Sequence, residues 1–170
     1  CIGPPLLDSF EMLVGAADAE VAIGYYRERF GDVGYRENEL YPGIVEVLTT
    51  LGEHDVQLLV ATSKPTLYAR KVVDHFGLGQ HFVDVCGPEL DSTRSDKTEL
   101  LAWILKEKDI DPRSSVMIGD RKHDIIGAHN NGIDAVAVLY GYGSHDELSE
   151  AGALQFCERP DHLPAILGMD

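Results

Sequence analysis

Residues 114–132 run SSVMIGDRKHDIIGAHNNG. Val116, Met117, Ile118 and Gly119 lead directly into Asp120, and a second acid, Asp124, follows four positions later where an amphipathic pattern begins. A short apolar run that ends on a carboxylate and turns into a helix reads as one strand-helix unit of a parallel sheet. In open sheets of that kind, ligands sit beyond the carboxyl ends of the strands.

The same alternation extends to both sides. VQLLVAT (56–62), FVDVCG (82–87), SVMIGD (115–120) and AVAVLYG (135–141) are short β-rich runs, with amphipathic stretches at 65–76, 97–108 and 123–131. Residues 135–139 are continuously apolar, as expected of a strand buried on both faces. Upstream the pattern is different. Apolar residues at helical spacing (Leu6, Phe10, Leu13; Val21, Ile23, Tyr26, Phe30) predict a helical pair over 5–13 and 19–30, with Asp18 as cap of the second helix. The polar, Gly-rich segment GDVGYRENELYPG then leads to a helix with Pro42 near its first turn, so a domain boundary is placed near residue 40.

Composition narrows the function classes. A chain of 170 residues with 44% hydrophobic residues suffices for one compact domain, or for one domain plus part of a second. A formal charge of -15, from 29 acids against 14 bases, argues against a nucleic-acid binder, which needs clustered cations to neutralise phosphates. No apolar run is long enough to span a bilayer, no signal peptide opens the chain, and the three cysteines have no paired or zinc-like spacing. A cytoplasmic protein with a small-molecule partner is expected, with Cys86 and Cys157 as core residues and all seven histidines as structural or surface groups. The chain begins with Cys1 in an apolar phrase, CIGPPLLDSF, which reads as the middle of something longer.

The strand-end rule directs attention to Thr62 and Ser63 after the run at 56–62, Lys64 beside them, Lys97 at the start of the helix at 97–108, Asp120, and Asp124. Hydroxyl and backbone N–H donors together with lysine can hold a phosphate, and carboxylates suit Mg²⁺. Each element taken alone also has a structural reading. Thr62 and Ser63 could cap a helix ahead of Pro65, Asp96 is the better capping group beside Lys97, Asp120 could start a turn, and Asp124 could be an acid favoured by a helix N-terminus. Their order along the chain is what points to phosphoryl chemistry.

That order resembles the haloacid dehalogenase-like (HAD) superfamily, in particular its phosphoglycolate-phosphatase-like members with a helical cap. LLVATSKP is similar to the second motif of that family, SDKTELL to the third and VMIGDRKHD to the fourth, while IGPPLLDSF and LYPGIVEVL are similar to cap and cap-to-core stretches. The resemblance implies an α/β fold: a Rossmann-like core with a parallel sheet at 40–170 and a partial helical cap at 1–39. It implies that Thr62 and Ser63 bind the transferring phosphoryl group, with Lys64 also on the substrate side. Lys97 would neutralise its charge, and Asp120 and Asp124 would hold Mg²⁺, Asp124 either directly or by orienting water and Lys97. The substrate would be a small phosphorylated metabolite.

The first motif of the family, D-x-D-G-T at the end of the first strand, has no counterpart in this chain. In the family that motif supplies the attacking carboxylate, and its strand lies between those corresponding to 56–62 and 115–120. The resemblance therefore implies a phosphomonoester hydrolase that is inactive as this stretch alone, with two unpaired strand edges and a tendency to aggregate. A phosphomutase of the same superfamily and a non-catalytic binding domain on the same scaffold are the alternatives.

Overall fold

The computed structural model describes residues 6–169. Two helices come first, α1 (Leu6–Val14) and α2 (Ala19–Asp32), packed on each other with Phe10 edge-on to Tyr26 at 5.9 Å. The cap expected at Asp18 does not form. Its backbone is already helical (φ -108, ψ -6) and its side chain accepts no N–H, whereas a capping residue needs an extended backbone to aim its oxygen at the first turn.

The α2 helix is fastened to the rest of the chain rather than standing free. Phe30 meets Tyr68 edge-on at 5.4 Å, Tyr68 Oη donates to Arg27 O at 3.3 Å, Lys71 Nζ to Gly31 O at 2.9 Å, and Arg27 Nη2 to Leu90 O at 2.7 Å. Gly43, in the left-handed region at φ 83, starts α3 (Ile44–Glu53), which buries Val47, Leu48 and Leu51. A glycine accepts that conformation without the Cβ clash any other residue meets.

Strands and helices then alternate as expected: β1 (Leu59–Ala61), α4 (Thr66–His75), β2 (Asp84–Cys86), α5 (Lys97–Glu107), β3 (Val116–Gly119), α6 (Lys122–Asn130) and β4 (Asp134–Val138). Each strand is shorter than its apolar run, because pairing covers only part of the run. Three further elements had no readable signal: α7 (His145–Glu150), β5 (Gln155–Cys157) and α8 (Leu163–Ile166). They have six, three and four residues, too few to show a period.

All the ladders are parallel. β1 pairs β2 with Val60 opposite Val85, β3 pairs β4 with Ile118 opposite Val136, and β4 pairs β5 with Ala137 opposite Phe156. The ladders form two separate sheets, β1-β2 and β3-β4-β5, so among the described residues β1 and β3 each have a single strand neighbour. Burial follows pairing. Val136 and Ala137 in β4 are fully buried, whereas β1 is half-buried throughout and Val116 in β3 is 45% exposed. Cys86 and Cys157 are buried and free, as core residues. Leu59 and Ala61 of one sheet pack with Met117 and Ala135 of the other around Leu100, Leu101 and Ile104 of α5, which holds the two sheets in one core.

Candidate active site

The carboxyl ends of β1 and β3 open on one cavity of ≈ 300 Å³, and Thr62, Ser63, Lys64, Lys97, Asp120 and Asp124 all line it. The six residues singled out from the sequence are thus brought together. Tyr26 and Phe30 of α2 and Tyr68 of α4 form an aromatic wall on the same cavity.

Thr62 follows β1 and prolongs its ladder, its N–H donating to Cys86 O at 3.0 Å. Its hydroxyl accepts from Lys64 N at 3.1 Å, so the residue closes its own turn rather than capping α4, whose first position follows Pro65 with no side-chain cap. The turn lies against the segment after β2. Thr66 Oγ1 donates to Gly87 O at 2.9 Å, Thr66 N donates to Pro88 O at 3.0 Å, and a Cβ on Gly87 would collide with Lys64 O. Glycine at 87 is what allows the backbones to approach this closely.

Lys97 is the first residue of α5, and Asp96 caps that helix by accepting from Glu99 N at 3.1 Å. The Lys97 side chain is buried. Its stem passes α6 at Gly127, where any Cβ would strike Lys97 Cγ, and its ammonium donates to Ala61 O at 2.8 Å and pairs with Asp124 Oδ1 at 2.9 Å. One ammonium therefore links the last carbonyl of β1 to the first turn of α6, across the space between the two sheets. The other oxygen of Asp124 accepts from Arg121 N at 3.1 Å, so both its oxygens serve protein donors. Buried charges of this kind are tolerated when they are paired and hydrogen-bonded together.

Asp120 is held differently. Its Oδ2 accepts from Tyr142 N at 2.8 Å, and Cβ atoms on Gly141 or Gly143 would collide with Asp120 itself. The loop after β4 thus wraps the carboxylate with bare backbone. Glu147 on α7 secures the intervening turn, accepting from Arg121 Nε at 2.9 Å and Lys122 N at 3.0 Å. Those bonds, the one from Lys122 N foremost, hold the Glu147 carboxyl below its ordinary range. Nearby, Tyr140 meets Tyr41 edge-on at 5.2 Å, and burial pushes its phenol up to about 12.

Gly141, Tyr142, Gly143 and Glu147 were not foreseen. The only trace in the sequence is the GYGS phrase at 141–144, and nothing local ties it to Asp120. One D-x-D does occur, Asp109-Ile110-Asp111, but it is not the family's first motif. It precedes β3, at the opposite end of the sheet from Asp120, with Asp109 at φ 53 and Asp111 accepting from Arg113 N at 2.9 Å to cap a short 3-10 turn.

Paired acids at a strand end, a buried lysine and a hydroxyl-bearing turn thus gather at the carboxyl ends of parallel strands in an α/β protein, the place where such folds bind ligands. The family model of the haloacid dehalogenase-like hydrolases matches residues 1–138, and the chain belongs to that family. A 5'-nucleotidase of Pseudomonas aeruginosa is 42% identical over 158 residues, covering 92% of this chain and 72% of that protein. Tyrosine-protein kinase PtkA of Mycobacterium tuberculosis is 39% identical over 145 residues, 85% of this chain and 50% of that one. A phosphoglycolate phosphatase of Vibrio vulnificus is 31% identical over 127 residues, 72% and 56% respectively. The chain thus spans about half the length of the latter two relatives. Among solved structures, a predicted phosphatase from Clostridium acetobutylicum superposes with a TM-score of 0.92 at 38% identity over 98% of this chain and 78% of that one.

Proposed function

We propose that this chain is the larger part of a Mg²⁺-dependent phosphomonoester hydrolase of the cytoplasm that works through an aspartyl-phosphate. The observation that carries the proposal is the Lys97 ammonium between Ala61 O and Asp124 Oδ1, in a cavity shared with Thr62 and Asp120. The phosphatase and nucleotidase names of the relatives support it, and PtkA is named for phosphoryl transfer as well.

The donors suit Mg²⁺ in kind. Carboxylate oxygens are hard ligands, and Mg²⁺ commonly takes one or two of them and fills its other positions with water and substrate phosphate. Asp120, with Oδ2 anchored to Tyr142 N, is the better direct ligand; Asp124, with both oxygens engaged, acts chiefly by fixing Lys97. When bound, the ion would neutralise charge on the phosphoryl oxygens. Thr62 and Ser63 would hydrogen-bond that group, Lys64 would lie on the substrate side, and Lys97 would offset the charge gathered between nucleophile and phosphorus. The helices α1 and α2 would form part of a cap that excludes water.

The nucleophile completes the scheme. A carboxylate would attack phosphorus as the alkoxide departs with a proton from a second acid, and water would then release phosphate and regenerate the carboxylate. Residues 1–170 hold no D-x-D-G-T, and neither sheet edge at β1 or β3 has a second partner among the described residues. Residues 1–170 by themselves are therefore expected to bind but not to hydrolyse.

The test is hydrolysis of a phosphomonoester panel by the protein as its gene encodes it, with and without Mg²⁺. Release of phosphate that needs Mg²⁺ and disappears in Asp120→Asn supports the proposal. Turnover indifferent to Asp120 overturns the assigned site, and no turnover together with no coupled binding of Mg²⁺ and phosphate overturns the proposal in favour of a non-catalytic scaffold.

A further inference from the structure

The linker between the helical pair and the core runs beside the loop that holds Asp120. Residues 38–41 take no regular structure, and Tyr41 closes the turn ahead of α3, its carbonyl accepting from Ile44 N at 3.2 Å. The Tyr41 ring meets Tyr140 edge-on at 5.2 Å, with an interplanar angle of 67°. Burial, and after it the neighbouring Tyr142 and Asp120, hold the Tyr41 phenol above its ordinary range, so these groups share one corner of the molecule.

The loop after β4 has its two ends fixed and little between them. Leu139 N makes the last ladder bond, to Cys157 O at 2.8 Å, and Ser144 secures the far end by accepting from Glu147 N at 3.1 Å. Between them stand Tyr140, Gly141, Tyr142 and Gly143. The glycines have no side chain to pack, and Tyr142 is 63% exposed. Tyr140 alone of the four packs on the core, against the cluster that contains Val47, Val136 and Val138, with Tyr41 against its ring. The Tyr142 N–H that holds Asp120 Oδ2 is therefore located from the β4 side by a ring whose neighbour sits in the linker.

We infer that Tyr41 is a positioning residue for Asp120: through Tyr140 it sets the backbone N–H of Tyr142, and so couples the linker of the helical pair to the carboxylate. This rests on the assignment of Mg²⁺ to Asp120 in the phosphatase reading and adds to it a residue outside the cavity. The coupling is reciprocal, because an ion that favours one arrangement of Asp120 favours the arrangement of the linker that goes with it. Groups that orient a metal ligand change metal affinity by about 10–100-fold. Tyr41 acts further out, through an aromatic contact, so a change of about threefold or more is expected.

The test is Mg²⁺ affinity by calorimetry on the protein as its gene encodes it, with hydrogen exchange of the Tyr142 amide read by NMR in the same samples. Tyr41→Ala should weaken Mg²⁺ binding by about threefold or more and quicken exchange at Tyr142. Tyr41 is 41% exposed, so its truncation leaves the core closed. Tyr41→Phe keeps the ring and should keep both values. Tyr35→Ala removes another ring of the same segment, one that meets His75 at 5.8 Å, and should change neither. Mg²⁺ affinity that is unchanged in Tyr41→Ala, falls equally in Tyr41→Phe or Tyr35→Ala, or falls with Tyr142 exchange unaltered overturns the inference and leaves the phosphatase reading standing. Absence of Mg²⁺ binding to the unaltered protein overturns both.

Discussion

The two rims of the cavity are built on opposite plans. On the β3 side, each carboxylate is fixed from more than one direction: Asp120 by Tyr142 N and the bare glycines around it, Asp124 by Lys97 and Arg121 N, and the turn between them by Glu147. On the β1 side, the Thr62 hydroxyl has one local bond and the Lys64 ammonium has an aromatic face. If the β3 rim holds a cation as proposed, it gains from this rigidity, because the cost of arranging its carboxylates is met during folding. If the β1 rim meets the substrate as proposed, its groups keep hydrogen-bonding capacity for it.

The sharpest way to break this contrast is at the Lys97–Asp124 pair. Removing one partner, as in Lys97→Met or Asp124→Leu, leaves a buried charge unpaired and should cost about 3–5 kcal/mol. Replacing both should recover much of that stability and none of the activity. Chemical denaturation of the three variants checks this, and a loss in the double variant equal to the sum of the two single losses would show that the pair is not coupled.

Next in size is the glycine cradle. Gly143→Ala puts a Cβ against Asp120 O, and a displacement of tightly packed backbone typically costs about 1–3 kcal/mol. Mg²⁺ affinity, read by calorimetry, should fall more than stability does. By contrast Gly52→Ala, where a Cβ meets nothing within 4 Å, should leave Mg²⁺ affinity unchanged.

A smaller effect is expected at Glu147, whose charged hydrogen bonds are partly exposed and worth about 1 kcal/mol. Its folded carboxyl lies below the ordinary value of 4.5, so its contribution is fully present above that pH and is lost as pH falls through the lowered value. Melting temperature against pH should drop less steeply in acid for Glu147→Gln than for the unaltered protein; parallel curves would refute the assignment. Smallest of all is the exposed Arg29–Glu37 pair, 2.7 Å apart on the surface, where Glu37→Gln should change neither the melting temperature nor binding.

Legibility in the sequence tracked the range of each interaction. Residues 135–138 announce a buried strand because each apolar side chain carries its own evidence of burial, and Thr62, Lys97, Asp120 and Asp124 stand where strand ends and helix starts can be read locally. Asp96 as the α5 cap is likewise a contact over three residues. The Asp18 cap failed because backbone conformation at a helix start depends on how the preceding turn closes, and β5 was missed because three residues carry no period.

The sequence by itself determined the alternating strand-helix order, the family, and which side chains are candidates for the chemistry, since these depend on residue type and near neighbours. Only the tertiary structure decided that Lys97 reaches 36 residues back to Ala61 O, that Tyr142 N reaches 22 residues back to Asp120, and that Lys64 lies over Phe30. Backbone donors and acceptors are the same at every residue, so nothing in the letters marks which of them will meet; only the closing of the chain selects the pairs.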